Sequence, residues 1–206
     1  QIKLITSKCE EILINEKPDL VIVYGDTNST VGGAEASKRV NIPVAHIEAG
    51  IRSFSKNLPE EKNRILVDKI SNILFCPSQI AVENLKKENI DKNVFNTGDV
   101  MYDIFLKTKP DYLILKRNGI NSSYFFATIH RQENTDNKLK LKSIMNTLNE
   151  LGVRVVIPLH PRTEKALGKI NKKFRNLKFI KPVKYSQNIA LQQKSKAVIT
   201  DSGGIQ

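Results

Sequence analysis

The sequence predicts an α/β protein with parallel sheets covered by helices on both faces. Three observations support this. Short apolar runs alternate with helical patterns along most of the 206 residues, and strands joined through helices pair in parallel. Glycine and polar residues follow these runs, and open parallel sheets bind ligands beyond the carboxyl ends of their strands. The alternation breaks once, between Val100 and Ser123, which divides the chain into two domains.

The elements are justified in order. Gln1–Asn15 reads as a helix, with Ile2, Ile5, Cys9, Ile12 and Leu13 at helical spacing. A helix without a preceding strand is an unusual start for an α/β domain, so the domain is expected to lack residues at this end. Asp19–Tyr24 is a strand buried on both faces, Ser29–Val40 a helix and Ile42–Ile47 a second strand. Pro59–Asn72 is a helix whose Ile65, Leu66 and Ile70 form an apolar stripe. Ile73–Cys76 is a strand, Gln79–Asn89 a helix and Asn93–Asn96 a short strand. Val100–Ser123 carries Pro110, Gly119 and mixed polar residues. This gives a first domain over 1–107, a linker over 108–123 and a second domain over 124–206. The second domain reads as strands at Tyr124–Ile129, Arg154–Leu159, Leu177–Ile180 and Ala197–Thr200. Its helices are Lys138–Leu151, Thr163–Phe174 and Ser186–Lys194.

Composition narrows the function. A hydrophobic share of 40% is enough to build real cores. A formal charge of +12 raises the question of a nucleic-acid partner. The lysines are scattered, as at Lys86, Lys87, Lys138, Lys140, Lys172 and Lys173, with no interleaved aromatics and no nucleic-acid motif. A solvated lysine-rich surface is the reading, and it also helps to draw in an anionic small molecule. Cys9 and Cys76 form no CxxC pair and are expected as reduced, partly buried thiols. No apolar run reaches the length of a membrane span and no signal peptide is visible. Neither nucleic acid nor membrane is an expected partner, and the cytoplasm is the expected location.

The strand ends are heavily loaded. Gly25-Asp26-Thr27-Asn28-Ser29 follows the first strand and His46-Ile47-Glu48-Ala49-Gly50 closes the second. His130-Arg131-Gln132-Glu133-Asn134, His160-Pro161-Arg162-Thr163 and Asp201-Ser202-Gly203-Gly204 follow strands of the second half. Gly203 and Gly204, without Cβ atoms, let backbone N–H groups approach an anion. All three histidines fall at strand ends. His46 lies inside an apolar stretch and reads as structural, whereas His130 and His160 are site candidates. Asp26 reads equally well as a helix cap or as a functional carboxylate. Glu48 sits between apolar Ile47 and Ala49, where a buried carboxylate needs a partner, with Arg52 or Arg64 in reach. In the first turn of its helix, Glu61 reads as complementing the helix dipole, and Glu60 as either that or functional. Neighbouring carboxylates suit acid–base chemistry, because repulsion raises the pKa of one of them. Arg131, Arg162, His160 and the Ser202–Gly204 loop suit a phosphate-bearing leaving group. No HxxxH or clustered Cys/His spacing points to a metal.

Six segments in order carry a resemblance to a known family. They are Gly25-Asp26-Thr27, His46–Arg52, Pro59–Arg64, Asn96-Thr97-Gly98-Asp99, His130–Asn134 and Thr200–Gln206. Together they resemble the motif series of the UDP-N-acetylglucosamine 2-epimerases over nearly the whole chain. The resemblance implies a GT-B-like fold of two Rossmann-like domains with the nucleotide sugar in the cleft between them. It implies inversion at C2 to UDP-N-acetylmannosamine, by anti elimination of UDP to a 2-acetamidoglucal and re-addition, with no redox cofactor. It matches Asp26, Glu48 and Glu60 to catalytic carboxylates and His130 to a histidine near the diphosphate. Arg64 matches an arginine supporting the site, Ser202 and Gly203 match UDP phosphate contacts beside Gly204, and His160 lines the nucleotide pocket. UDP-N-acetylglucosamine and UDP are the implied ligands and a homodimer the implied assembly. The family's opening glycine-threonine-arginine-proline-glutamate loop and its segment after Gln206 are missing, so the fold is expected to be incomplete at both ends. These residues alone are expected to fold poorly and to turn over little substrate. The Ser53-Phe54 and Asn57-Leu58-Pro59 context resembles the non-hydrolysing branch. The alternatives are the hydrolysing epimerase, a GT-B glycosyltransferase and an inactive nucleotide-sugar binder.

Overall fold

Capping and burial together set the first unit, residues 1–103, in a computed structural model that describes residues 1–55, 58–168 and 174–205. Its elements are α1 (Ile2–Glu16), β1 (Val21–Tyr24), α2 (Asn28–Arg39) and β2 (Val44–Ile47). They continue with α3 (Pro59–Ile70), β3 (Ile73–Cys76), α4 (Gln79–Lys87) and β4 (Val94–Asn96). All four strands are parallel, in the order β1-β2-β3-β4. Thr27 caps α2 through a reciprocal pairing with Thr30, and Ser78 caps α4. Pro59 opens α3, where its fixed φ and missing N–H cost nothing. Val23, Val31, Val44 and Val67 pack one core cluster, and Ala49, Leu74, Cys76, Ala81 and Leu85 another.

The helix α5 (Val100–Lys107) runs across the division into the second unit, residues 104–206. There follow α6 (Leu113–Arg117), β5 (Tyr124–Thr128), α7 (Gln132–Thr135), α8 (Lys138–Glu150) and β6 (Arg154–Pro158). The remaining elements are α9 (Pro161–Leu167), β7 (Leu177–Ile180), α10 (Tyr185–Lys194) and β8 (Val198–Thr200). This sheet is also parallel, in the order β7-β6-β5-β8. Alternate residues of its strands enter different cores. Tyr124, Phe126 and Val156 pack with Ile114, Ile120 and Leu191. Ala127, Val155 and Ile157 pack with Leu141, Met145 and Leu167. Both faces of the sheet are therefore covered, which is why its strands read as continuous apolar runs.

Several expectations change. The stretch 108–123 packs with the second unit, because α6 contributes Ile114, and Ile120 follows it into the core. Pro110 and Gly119 masked α5 and α6 in the sequence, and α7 is too short to show a period. β1 is not buried on both faces: Ile22 is 60% exposed and Tyr24 is also exposed, while Val21 and Val23 face the core. The helix expected over Thr163–Phe174 starts at Pro161 and ends at Leu167, with Gly168 at φ 51° as its cap; residues 169–173 lie outside those described. Cys9 is half-buried and Cys76 fully buried, both as free thiols, and burial pushes the Cys76 thiol up to about 11. Among the described residues no helix is long and apolar enough to cross a membrane.

Gly50 ties the fold to the strand-end loops. Its φ is +74°, and a Cβ there would lie 2.3 Å from the carbonyl oxygen of Ala81. Gly50→Ala is expected to destabilise the full-length protein by more than about 2 kcal/mol, from left-handed strain plus the clash. Urea unfolding measures it, and a loss within about 0.5 kcal/mol would show that α4 simply moves aside.

Candidate functional site

The parallel register of β1 and β2 sets Tyr24 beside Ile47, so the loops carrying Asp26 and Glu48 leave the sheet side by side. Glu48 has φ +71°, a conformation that costs a non-glycine residue of order 1 kcal/mol or more. Neighbouring backbone bonds hold it there: Ala49 N–H donates to Phe75 O at 3.0 Å, and Gly25 N–H to Ile47 O at 3.0 Å. The Glu48 carboxylate lies over Gly25, where a Cβ would stand 3.5 Å from Oε2. Asp26 pairs with Arg64 of α3. Arg64 also reaches Glu61 at 3.4 Å.

Glu48 has no ion-pair partner among the described residues. The expected pairing with Arg52 or Arg64 does not form, because both arginines are committed elsewhere. Arg52 bonds Glu88 at 2.7 Å and Asp68 at 2.8 Å. Burial, then the charges of Asp26 and Asp99, push the Glu48 carboxyl above its ordinary range, against weaker opposition from Arg64 and His46. The structure thus sets two adjacent carboxylates in different surroundings: one ion-paired, one desolvated and inclined to hold a proton.

Asp26 is not the helix cap, since Thr27 takes that role. Glu61 is far more than dipole decoration. It is buried and accepts hydrogen bonds from Ser53 N–H, Ser53 Oγ and Phe54 N–H at 2.9, 3.0 and 3.0 Å. Burial acts to raise its pKa, but these bonds and Arg64 outweigh it and hold the group below its ordinary range. Glu60 is exposed in the first turn of α3, and its side chain bonds none of the described residues. His46 is fully buried, with Nδ1 2.7 Å from Asp68 and Nε2 donating to Gly25 O at 2.8 Å. Asp68 also accepts Gly50 N–H at 3.1 Å. Sequence reading missed Asp68 and the contribution of Asp99. The available signal was a carboxylate three residues beyond Ile65 on the buried side of α3.

In the second unit β8 pairs with β5 on the side away from β6. Strand order reverses there, and such a switch opens a crevice at the carboxyl ends. His130 and Asp201 emerge side by side. One carboxylate oxygen of Asp201 accepts His130 N–H, Arg131 N–H and Asn134 Nδ2–H, each at 3.0 Å. The other lies 3.1 Å from His130 Nδ1. Burial works to raise the Asp201 pKa, yet these donors bring it below its ordinary value. The rings of His130 and His160 are 5.9 Å apart. His160 is exposed and caps α9, its Nδ1 accepting Arg162 N–H at 3.2 Å. Ser202 N–H is already taken by Thr200 Oγ1 at 2.9 Å, so it is not a free anion donor. The N–H groups of Gly203 and Gly204 find no acceptor among the described residues. A Cβ on Gly203 would lie 4.0 Å from Arg131 Nη2, and one on Gly204 would meet nothing. Free N–H groups beside a guanidinium suit a phosphate. Gln206, the end of the sixth motif, lies outside the described residues, as does Asn57 of the Asn57-Leu58-Pro59 context. Among the described residues no three His, Cys, Asp or Glu are placed to hold a metal.

The family model described as UDP-N-acetylglucosamine 2-epimerase matches residues 1–206. The chain belongs to this family. It is 50% identical over 210 residues to a UDP-N-acetylglucosamine 2-epimerase homolog of Methanococcus maripaludis, covering 97% of this chain and 59% of that protein. It is 45% identical to the UDP-2,3-diacetamido-2,3-dideoxy-D-glucuronate 2-epimerase of Pseudomonas aeruginosa, covering 96% and 57%. A crystal structure of the Methanocaldococcus jannaschii UDP-GlcNAc 2-epimerase with UDP-GlcNAc and UDP superposes with a TM-score of 0.87 at 35% identity, covering 99% of this chain and 60% of that one. The chain thus spans under two thirds of the length of these epimerases. The resemblance in the six motifs and the GT-B-like class of two Rossmann-like units both hold.

A pH profile tests the Glu48 environment. A carboxyl whose folded pKa lies above its unfolded value contributes fully at low pH and loses that contribution as pH rises toward the folded pKa. Glu48→Gln removes this loss. The melting temperature of the variant minus that of the wild type is expected to rise between pH 4 and pH 7. A flat or falling difference would mean that the fold does not desolvate Glu48.

Proposed function

We propose that the full-length protein inverts C2 of UDP-N-acetylglucosamine to give UDP-N-acetylmannosamine by elimination and re-addition of UDP. The observation that carries this is the pair of strand-end carboxylates in the first unit, Asp26 ion-paired and Glu48 desolvated. One carboxylate of the set Asp26, Glu48 and Glu60 takes the C2 proton. The C–H electrons form the C1=C2 double bond as the C1–O bond to UDP breaks. His130 supports the departing phosphate oxygen, and Arg64 holds Asp26 in place. A carboxylic acid then returns a proton to the opposite face of C2, and UDP adds back at C1. Arg131, the free Gly203 and Gly204 N–H groups, the Ser202 hydroxyl and His160 hold UDP, and the ligands in the M. jannaschii and Neisseria meningitidis structures support that half of the reading. The sequence is redox neutral and calls for no redox cofactor. A homodimer in the cytoplasm belongs to the same proposal, as does the non-hydrolysing course.

The 45% identity to the Pseudomonas epimerase favours a second reading of the substrate. By its name that protein acts on a sugar with an acetamido group at C3 and a carboxylate at C6. The chemistry at C2 is unchanged, so Asp26, Glu48 and Glu60 serve either sugar.

The test incubates the full-length protein with each UDP-sugar in deuterated water and follows the products by NMR. UDP-N-acetylmannosamine carrying deuterium at C2 is the expected result. Turnover of the diacetamido-glucuronate alone would move the assignment to the second reading, and free N-acetylmannosamine would establish the hydrolysing course. Asp26→Asn, Glu48→Gln and Glu60→Gln are each expected to cut C2 exchange by about 10²-fold or more, with UDP affinity within a few-fold. Exchange surviving all three substitutions would dismiss the carboxylate roles.

A further inference from the structure

We infer that Asp201 is a positioning residue that fixes the tautomer of His130. It holds the neutral ring as the Nδ1–H form and leaves Nε2 as the nitrogen that exchanges a proton with the leaving group. The inference rests on the role given to His130 in the proposed reaction.

The geometry divides the two oxygens of Asp201 cleanly. Oδ2 is filled by three donors, from His130 N–H, Arg131 N–H and Asn134 Nδ2, all at 3.0 Å. Oδ1 accepts a longer bond from His130 N–H at 3.2 Å and lies 3.1 Å from His130 Nδ1, an ionic contact outside hydrogen-bond alignment. A carboxylate oxygen offers only lone pairs. A carboxylate charge this close favours a proton on the nearer ring nitrogen, so the proton of the neutral ring belongs on Nδ1. His130 Nε2 bonds no described residue. The Asp201 side chain is 11% exposed, which limits screening of this contact, whereas the His130 side chain is 39% exposed and open to a ligand. His160, at the start of α9, also lies near the ring, with the two rings 5.9 Å apart.

Two consequences follow for the reaction. When the ring is protonated, Nε2–H is the donor that can pass to the phosphate oxygen as the C1–O bond breaks. After that transfer the ring is left neutral as the Nδ1–H form, so the same Nε2 can take the proton back on re-addition. No further co-reactant enters. The same carboxylate that fixes the ring also fixes the backbone on both sides of it, so ring orientation and anion loop move as one body.

Asp201→Asn separates charge from shape. The amide oxygen suits the Oδ2 position, where three N–H donors converge. That places the amide NH2 against His130 Nδ1, and a donor there demands the Nε2–H form. Long-range 1H–15N correlation NMR on the full-length protein, with His130→Gln identifying the His130 signals, reads the tautomer at a pH where the ring is neutral. The Nδ1–H pattern is expected in the wild type and the Nε2–H pattern in Asp201→Asn. The variant is also expected to lose about 10²-fold or more in kcat with UDP affinity within about threefold, and Asp201→Glu to recover part of the loss. An Nε2–H pattern in the wild type would overturn the inference without any variant. So would an unchanged tautomer in a folded Asp201→Asn protein, or a changed tautomer with full kcat. Absence of wild-type turnover beside the expected tautomer pair would count against the proposed reaction and leave the Asp201–His130 assignment standing.

Discussion

The buried carboxylate of Asp68 is the constraint on which the first unit depends. It meets His46, the Gly50 N–H and Arg52 at once, three partners drawn from a strand, a turn and the loop that follows. Burying an ion pair costs several kcal/mol in desolvation, and removing one partner typically costs about 3–5 kcal/mol because the other charge is stranded. Such a cluster is poor value as a source of stability. Its effect is to specify one backbone path. His46 passes the constraint to Gly25 O, and Gly50 passes it to the strained backbone at Glu48. The two carboxylates of the candidate site therefore sit on loops pinned from below by charge as well as by the apolar packing of Ala49.

The second unit solves the same problem differently. Its candidate residues converge because β8 returns to the far side of β5. Thr128 and Thr200, the last residues of those strands, join their hydroxyls at 2.7 Å. Asp201 then stitches the next few residues of both segments together. Here a single carboxylate at a topological switch does what a buried network does in the first unit.

How much was legible in the sequence depends on how local the cause was. Ile73–Cys76 and Leu177–Ile180 were read to the residue, because each is a compact apolar run between polar signals. His46 could be set aside as structural because it lay inside such a run. The six motifs marked which loops to inspect. Sheet order was not legible, since it follows from non-local pairing. Without it, Asp201 was only one member of a glycine-rich loop and not the anchor of His130. Glu61 looked like a helix-dipole residue because its partners, Ser53 and Phe54, belong to a loop whose path sequence does not reveal. Thr27 displaced Asp26 as the cap because the reciprocal Thr27–Thr30 pairing satisfies the helix start and frees Asp26 for Arg64.

The position of β8 in its sheet also has a bearing on biogenesis. β5, β6 and β7 are neighbours in sequence order and pair as they emerge from the ribosome, whereas β8 must travel back past two strands to find β5. Contacts so distant along the chain form late, since loop closure precedes any reward. A nascent polypeptide exposed only to residue 195 already owns His130 and Arg131, yet has no Asp201 to clamp them. The Asp201 clamp is therefore acquired abruptly, when a single three-residue strand docks, and not gradually as the unit is translated.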